Sequence, residues 1–176
     1  MIRQEEIALV INSQRETFLK QDTGFTRDAL VDIPIADSFA TIITGIRRCG
    51  KSTLLLQLLR RDYQDAIYLN FDDIRLSGFE ISDFMRLHRE IEKRKINVLF
   101  FDEIQIVKGW EQYINQLLRE NYKVFITGSN ASMLSIELGT HLTGRHLSME
   151  LFPFSYWEFI KFKTLENGEN AILDYL

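Results

Sequence analysis

The chain alternates between short, largely apolar runs and longer segments in which apolar residues recur every three or four positions. The runs cover residues 39–44, 66–71, 98–101 and 123–127, with a more polar one at 146–152. The helical spacing is found at residues 53–59, 82–95, 110–121 and 155–162. Short apolar runs are typical of strands covered on both faces, whereas the three-to-four spacing predicts amphipathic helices. Strands that alternate with helices predict an α/β fold with a parallel sheet.

Residues 1–36 do not share this alternation. Their apolar residues fit an amphipathic helix only loosely, and residues 21–24 form a predicted turn. We expect this segment to be a helical appendage that packs on the core, because helical segments mostly bury one face. A second interpretation places Arg27 and its neighbours beside a nucleotide base. The core is predicted to span residues 37–163, and residues 164–176 are expected to begin a C-terminal region that continues beyond this sequence.

A glycine-rich segment joins the first predicted strand to the helix after it. Residues 45–52 match the pattern Gly-x-x-x-x-Gly-Lys-Ser, which indicates a phosphate-binding loop when it lies between a strand and a helix. Gly45 and Gly50 let the backbone curl so that several N–H groups face one anion. Lys51 is placed to reach the outer phosphates, and the Ser52 hydroxyl to bind Mg²⁺. The predicted nucleotide contacts here are Gly45, Ile46, Arg47, Arg48, Cys49, Gly50, Lys51, Ser52 and Thr53.

Two carboxylates follow another of the apolar runs. Residues 98–101 are apolar, and Asp102 and Glu103 come directly after them. Open α/β sheets hold their ligands at the carboxyl ends of the strands, so both acids are expected near the phosphate-binding loop. Asp102 is predicted to orient a water on Mg²⁺ beside Ser52, and Glu103 to polarise the attacking water. These are the roles that phosphoryl transfer needs, because its catalysis is mostly positioning and charge stabilisation.

Polar residues also stand at the borders of the last two predicted strands. Ser129 and Asn130 follow the strand at 123–127, where they are candidates to hydrogen-bond the γ-phosphate or the attacking water. Capping of the helix predicted after them is the alternative. Arg145 precedes the last strand, and we expect it to stabilise the phosphoryl charge from the nucleotide edge of the sheet or from a neighbouring subunit. Structural pairing is the alternative for this arginine.

Composition narrows the class of protein. The chain has 176 residues, of which 45% are hydrophobic and 26% charged, with a net charge of −4. These values fit one ordinary globular domain, and the acidic balance does not indicate a nucleic-acid partner, although it leaves one open. No apolar stretch approaches the ~20 residues of a membrane span, and the first residues are too charged for a secretory signal. The single cysteine excludes an internal disulfide. We therefore expect a cytoplasmic protein without a membrane partner.

Four motifs, taken together, resemble those of predicted AAA+-type ATPases of bacteria and archaea. They are residues 45–52, Phe-Phe-Asp-Glu-Ile-Gln at 100–105, Thr-Gly-Ser-Asn at 127–130, and Leu-Thr-Gly-Arg at 142–145 followed by Leu-Phe-Pro-Phe-Ser-Tyr-Trp-Glu-Phe at 151–159. The resemblance implies a Rossmann-like P-loop core with sheet order 5-1-4-3-2. It implies a Walker A motif at residues 45–52, a Walker B motif at Asp102 and Glu103, and a sensor-like residue at Ser129 or Asn130. It also implies an arginine-finger-like Arg145 and a C-terminal domain after the ATPase domain. The helical lid and second-sensor arginine of AAA+ proteins have no match here.

The motifs predict a domain that binds ATP and Mg²⁺, hydrolyses ATP, and drives a conformational change in a C-terminal region or in a partner. The alternative is a nucleotide-dependent switch module with negligible hydrolysis. A small-molecule kinase is disfavoured, because the sequence offers no acceptor-binding lid with convergent arginines. ATP is favoured over GTP, since no Asn-Lys-x-Asp guanine-reading motif is present. The effector stays open, and so does assembly into a homo-oligomer.

Overall fold

A computed structural model describes residues 1–128 and 144–163, which form five helices and five strands. In chain order they are α1 (Gln4–Lys20), β1 (Ala40–Thr44), α2 (Lys51–Asp62), β2 (Ile67–Asn70), α3 (Phe84–Arg94), β3 (Val98–Asp102), α4 (Trp110–Arg119), β4 (Lys123–Thr127), β5 (His146–Glu150) and α5 (Tyr156–Lys163). Short 3-10 turns occur at Asp28–Val31, Ile74–Leu76, Ile81–Asp83 and Ile104–Ile106. Within these described ranges, no helix is both long and apolar enough to cross a membrane.

The strands form one parallel sheet with the order β2-β3-β4-β1-β5. This order confirms the predicted P-loop arrangement, in which the first strand lies between the fourth and the fifth. Ile43 lies opposite Thr127, and Asn70 opposite Asp102, so the carboxyl ends of the strands meet at one edge of the sheet. We call this edge the site edge. The phosphate-binding loop and Glu103 follow strands that end there, and Asp102 is the last residue of β3.

Helices cover both faces of the sheet. On one face, α1, α3 and α4 pack on a cluster that includes Ile42 and Phe101. On the other face, α2 packs on a cluster that includes Ile43 and Phe100. Every residue of β1 is buried. This two-sided burial explains why the strands appear in the sequence as continuous apolar runs rather than as an alternation of apolar and polar residues.

Helix α1 lies against β2, which is an edge strand of the sheet. Ile7 and Val10 of α1 belong to the same buried cluster as the strands. The Nε2 of Gln14 donates to the Asn70 carbonyl at 3.1 Å, and the Asn70 N–H donates to Oε1 of Gln14 at 2.8 Å. The Gln14 amide thus satisfies backbone groups of the edge strand as a further strand would. Helix α1 therefore covers an edge that would otherwise be open to pairing with another chain.

The start of α3 differs from the prediction. The helical spacing predicted a helix from residue 82, but the helix begins at Phe84 after a 3-10 turn. The side chain that closes the turn is Asp83, which accepts hydrogen bonds from the N–H of Glu80 at 3.0 Å and of Ile2 at 3.1 Å. The bond from Ile2 joins two residues that are far apart in the sequence, so local spacing could not reveal it.

Candidate functional site

The segment between β1 and α2 is a tight loop whose conformation needs glycine at two positions. Gly45 has φ of 144° and Gly50 has φ of 96°. A Cβ atom on Gly45 would lie 2.2 Å from the carbonyl oxygen of Leu151, which is too close for any side chain. A Cβ on Gly50 would lie 3.3 Å from Nη1 of Arg27. The loop therefore packs between the end of β5 and the side chain of Arg27, which belongs to the segment before β1.

Lys51, the first residue of α2, is buried beneath this loop. Its Nζ donates to the carbonyl oxygen of Gly45 at 3.1 Å and of Ile46 at 2.9 Å. The ammonium group thus lies within the loop, with oxygen atoms as its partners. Phosphate oxygens are ligands of the same kind, and they would compete with these two carbonyls for the Nζ protons.

Asp102 is fully buried at the end of β3, and two hydroxyl groups donate hydrogen bonds to its carboxylate. Its Oδ2 accepts from the Tyr68 hydroxyl at 2.8 Å, and its Oδ1 accepts from the Thr127 hydroxyl. Ser52, at the start of α2, lies close enough to this carboxylate to lower its pKa. Burial raises the pKa of Asp102 above its usual range, although the nearby hydroxyl groups of Thr127, Ser52 and Tyr68 act in the opposite direction. The predicted pair of Ser52 and Asp102 therefore lies close together at the site edge.

Glu103 follows Asp102 in an unusual backbone conformation. Its φ is 54°, in the left-handed region that residues other than glycine seldom adopt. The Glu103 N–H donates to Oγ1 of Thr127 at 3.1 Å, and the Gln105 amide donates to the Glu103 carboxylate. Thr127 thus contacts both acidic residues, one through its hydroxyl proton and the other through its lone pair. The side chain of Glu103 is half-buried beside the site edge.

The oxygen atoms gathered here fit Mg²⁺. Ser52 and Asp102 offer a hydroxyl and a carboxylate, which are the hard oxygen ligands that this ion prefers. Among residues 1–128 and 144–163, no group of three or more histidine, cysteine, aspartate or glutamate side chains could form a complete protein cage. Mg²⁺ does not need such a cage, because it usually keeps several waters and binds through one or two protein groups plus substrate phosphates.

A cavity of about 390 Å³ opens beside the loop. One wall is formed by Arg48, Cys49, Gly50 and Thr53, and the other by residues 22–25, Arg27, Pro153, Phe154 and Phe162. The rings of Phe25, Phe154 and Phe162 pack on one another with centroid separations between 5.5 and 6.2 Å. The volume lies in the range of ~300–1,000 Å³ that is typical of small-molecule sites.

Arg145 lies at the opposite edge of the sheet. It precedes β5, which runs parallel to β1 with Ala40 opposite His146, and its carbonyl accepts from the Ala40 N–H at 3.1 Å. The loop follows the other end of β1, about 15 Å away at the ~3.3 Å rise of a parallel strand. The expectation that Arg145 acts from the nucleotide edge of its own chain is therefore wrong. Its role from a neighbouring subunit stays a prediction.

Most of the predicted site residues meet at the site edge. The structure brings together the loop at 45–50 with Lys51, Ser52, Asp102 and Glu103. Ser129 and Asn130 lie outside the described residues.

Two functional candidates, Tyr68 and Thr127, were missed by sequence reasoning. Thr127 carried a usable signal, since it ends a predicted strand next to the polar residues after β4. Tyr68 carried none, because its contact with Asp102 depends on the pairing of β2 with β3.

Comparisons with known proteins agree with this geometry. A family model described as an AAA domain matches residues 37–160, which is the greater part of the chain. An uncharacterized protein of Methanocaldococcus jannaschii is 36% identical over 159 residues, which are 83% of this chain and 35% of that protein. An uncharacterized protein of Haemophilus influenzae is 34% identical over 170 residues, which are 90% of this chain and 40% of that protein. The chain thus spans between a third and two fifths of the length of these relatives.

A solved structure shows the same fold. The S. cerevisiae Hsp104:casein complex in its extended conformation matches 85% of this chain and 31% of the matched chain, with a TM-score of 0.61 and 19% sequence identity. At that identity the likeness concerns the fold alone. The match to the family, however, covers both the loop and the acidic motif. The chain therefore belongs to the AAA domain family, and it is a nucleotide-binding P-loop domain of the AAA+ type.

Proposed function

We propose that this domain binds ATP with Mg²⁺ and hydrolyses it. The observation that carries the proposal is that Ser52 and Asp102 lie close together, with Glu103 directly after Asp102 at the end of β3. These residues come from two separate motifs of the sequence, and they meet where β1 and β3 end. A hydroxyl and a carboxylate close together, beside a loop rich in N–H groups and a buried lysine, suit a nucleoside triphosphate with its metal ion.

Each residue takes one role in this proposal. The loop N–H groups and Lys51 bind the β- and γ-phosphates, and the positive end of α2 adds to the attraction. Ser52 and Asp102 hold Mg²⁺, which neutralises charge on the phosphate oxygens when it is bound. Glu103 accepts a proton from the attacking water. Tyr68 and Thr127 keep the Asp102 carboxylate in one orientation.

The cavity beside the loop is proposed to take the base and ribose. It adjoins Gly50 and Thr53, so a nucleotide with its phosphates in the loop would extend into it. Phe25, Phe154 and Phe162 offer apolar and aromatic surface of the kind that packs on a planar base. We therefore propose that Phe25, from the segment before β1, contacts the base. Arg27 of the same segment instead binds Glu158 and the Cys49 carbonyl.

A nucleotide switch with negligible hydrolysis is a second candidate. It is favoured by the hydrogen bond between the Gln105 amide and the Glu103 carboxylate, since this bond occupies the group that would activate water. The position of Arg145 at the far edge of the sheet points the same way, because a lone chain then lacks that arginine near its phosphates. In this case a neighbouring copy or the rest of a longer protein would start turnover.

The test measures nucleotide binding and phosphate release with the 176-residue chain and two variants. We expect the wild type to bind and hydrolyse ATP with Mg²⁺, Lys51→Ala to do neither, and Glu103→Gln to bind without turnover. Binding by the wild type without phosphate release would favour the switch. If Glu103→Gln still hydrolyses ATP, Glu103 is not the base that activates water. If Lys51→Ala binds nucleotide as tightly as the wild type, the loop is not the phosphate-binding site.

A further inference from the structure

Arg27 and Glu158 form a buried ion pair next to the phosphate-binding loop. Nε of Arg27 lies 2.8 Å from Oε1 of Glu158, and the two side chains are only 5% and 6% exposed. Arg27 comes from the segment before β1, whereas Glu158 lies in α5. Two distant parts of the chain therefore meet at this pair, beside the loop that is proposed to bind phosphate.

The guanidinium of Arg27 also contacts the loop itself. Its Nη1 donates to the carbonyl oxygen of Cys49 at 2.8 Å, and its Nη2 donates to the carbonyl oxygen of Phe152 at 2.8 Å. One planar group thus joins the loop, the connection between β5 and α5, and α5. The fork geometry of arginine allows these simultaneous bonds, which the single ammonium group of lysine cannot reproduce.

The bond to Cys49 fixes the direction of one peptide unit in the loop. In a trans peptide the carbonyl and the following N–H point in opposite directions. Because Arg27 holds the Cys49 carbonyl, the N–H of Gly50 points away from Arg27. Convergent N–H groups are what a phosphate-binding loop needs, so this contact supports the required orientation.

Glu158 is held as firmly as its partner. Its carboxylate accepts from the N–H of Asp28 at 3.0 Å and of Ser155 at 2.9 Å, in addition to the bonds from Arg27. Burial disfavours the charged carboxylate, yet the bonds from Arg27, Ser155 and Asp28 prevail and lower the pKa of Glu158 to about 2. The carboxylate is therefore charged at neutral pH, and it anchors the first turn of α5 to Arg27.

We propose that Arg27 is a positioning residue that orients the Cys49–Gly50 peptide for phosphate and, through Glu158, links the loop to α5. The proposal rests on nucleotide binding at the loop. Phosphate oxygens that take over the Nζ protons of Lys51 from Gly45 and Ile46 would change the loop backbone, and Arg27 is the side chain that carries this change to α5. Nucleotide binding is thereby coupled to the position of α5.

An exposed tryptophan in α5 can report on that helix, and a second ion pair provides a control. Trp157, next to Glu158, is 59% exposed, whereas Trp110 is 1% exposed, so a soluble quencher such as acrylamide acts on Trp157. Lys161 of α5 pairs with Asp28 at 3.1 Å, and both side chains are more than half exposed. This second pair joins the same two segments as Arg27 and Glu158 without touching the loop. Lys161→Met is therefore the matched control.

The experiment titrates ADP and ATP, each with Mg²⁺, into wild type, Glu158→Gln, Arg27→Lys and Lys161→Met, and records affinity and acrylamide quenching of Trp157. Circular dichroism checks that each variant is folded. We expect nucleotide to change the quenching of wild type and of Lys161→Met. Glu158→Gln and Arg27→Lys are expected to lose this response and to bind about 5-fold more weakly or worse, in line with a typical coupling between sites. A purely structural role would lower thermal stability and leave the response of the folded variants unchanged.

Two results would overturn the proposal in different ways. If the wild type does not bind nucleotide, the proposed function fails and the coupling fails with it. If the wild type binds and either folded variant keeps both the affinity and the Trp157 response, the coupling alone is wrong. Should Glu158→Gln not fold, Arg27→Lys decides the matter, because it retains the buried positive charge that faces Glu158.

Discussion

The hydroxyl of Tyr68 lies 2.8 Å from Oδ2 of Asp102 and donates a hydrogen bond to it. Burial and the neighbouring Asp102 carboxylate raise the pKa of Tyr68, so the phenol keeps its proton over the whole accessible pH range. Thr127 donates to the other oxygen of the same carboxylate. The acid predicted to serve the metal is therefore fixed from both neighbouring strands, β2 and β4.

Tyr68→Phe removes the hydroxyl and keeps the ring. We expect the variant to fold and to need about tenfold more Mg²⁺ for tight nucleotide binding, because loss of a group that orients a metal ligand typically weakens metal binding by about 10- to 100-fold. The measurement is nucleotide affinity at a series of Mg²⁺ concentrations. Tyr63→Phe is the control, since the Tyr63 ring packs on Phe100 and Phe125 on the same face of the sheet. An unchanged Mg²⁺ requirement in Tyr68→Phe would contradict this role.

Gly45→Ala tests whether the loop depends on its contact with the end of β5. A Cβ at this position would meet the backbone oxygen of Leu151 at 2.2 Å, and this oxygen cannot rotate away as a side chain could. We expect loss of nucleotide binding together with a lower free energy of unfolding, by roughly 1–3 kcal/mol for the strained backbone alone. Binding assays and thermal unfolding measure the two effects.

The control for this variant is Gly78→Ala. Gly78 also has a positive φ, of 83°, but nothing lies within 4 Å of a Cβ placed there. It should lose about 1 kcal/mol of stability for the left-handed conformation and keep its nucleotide affinity. If the two variants lose binding equally, general destabilisation rather than the contact with Leu151 explains the loss.

Parts of this site could be predicted because they are local in the sequence. The loop and Lys51 lie within eight consecutive residues, and Asp102 directly follows an apolar strand, so spacing and hydrophobicity were sufficient. The order of the sheet came from the family resemblance. In contrast, the bonds from Tyr68 to Asp102 and from Arg27 to Cys49 depend on strand register and on packing between distant segments. No short pattern encodes such contacts.

The position of Arg145 also shows that sequence patterns alone do not reveal where a residue lies in the fold. The sequence correctly predicted that Arg145 directly precedes β5. A residue just before a parallel strand, however, lies at the amino edge of the sheet, away from the loop. The left-handed conformation of Glu103 was also unforeseen, and the hydroxyl that accepts from its N–H belongs to Thr127 on another strand.

The stability of the chain should fall in acid partly through Glu158. Its pKa is about 2 in the folded chain, compared with an ordinary value of 4.5. A lowered pKa stabilises the fold above the ordinary value, and this contribution is lost as the pH falls from 4.5 toward 2. At ~1.4 kcal/mol for each pH unit, the contribution amounts to roughly 3 kcal/mol.

The measurement compares the free energy of unfolding of wild type and Glu158→Gln between neutral pH and about pH 3. Glutamine cannot ionise, so the difference between the two proteins should be widest above about pH 5 and should narrow in acid. Asp73 also has a lowered pKa, chiefly because of its hydrogen bond from Arg75, but it is present in both proteins and cancels in the comparison. A difference that stays constant with pH would show that the charge on Glu158 is not what stabilises the fold.

Arg145 is expected to act on the nucleotide of a neighbouring copy. The side chain is exposed, and it lies at the edge of the sheet opposite its own loop, so it is free to contact another subunit's site but cannot reach its own. Arg145→Ala should therefore bind nucleotide normally and lose turnover, and turnover by the wild type should rise more than linearly with protein concentration.

Mixing Arg145→Ala with Lys51→Ala should restore part of the activity, because one intact site then forms between an intact loop on one chain and an intact arginine on the other. Arg145→Lys serves as the control for charge alone, since a point charge does not reproduce the planar fork that stabilises a phosphoryl group. If the mixture stays inactive while the wild type hydrolyses ATP at a rate independent of its concentration, each chain completes its own site, and Arg145 has only a structural role at the amino edge of β5.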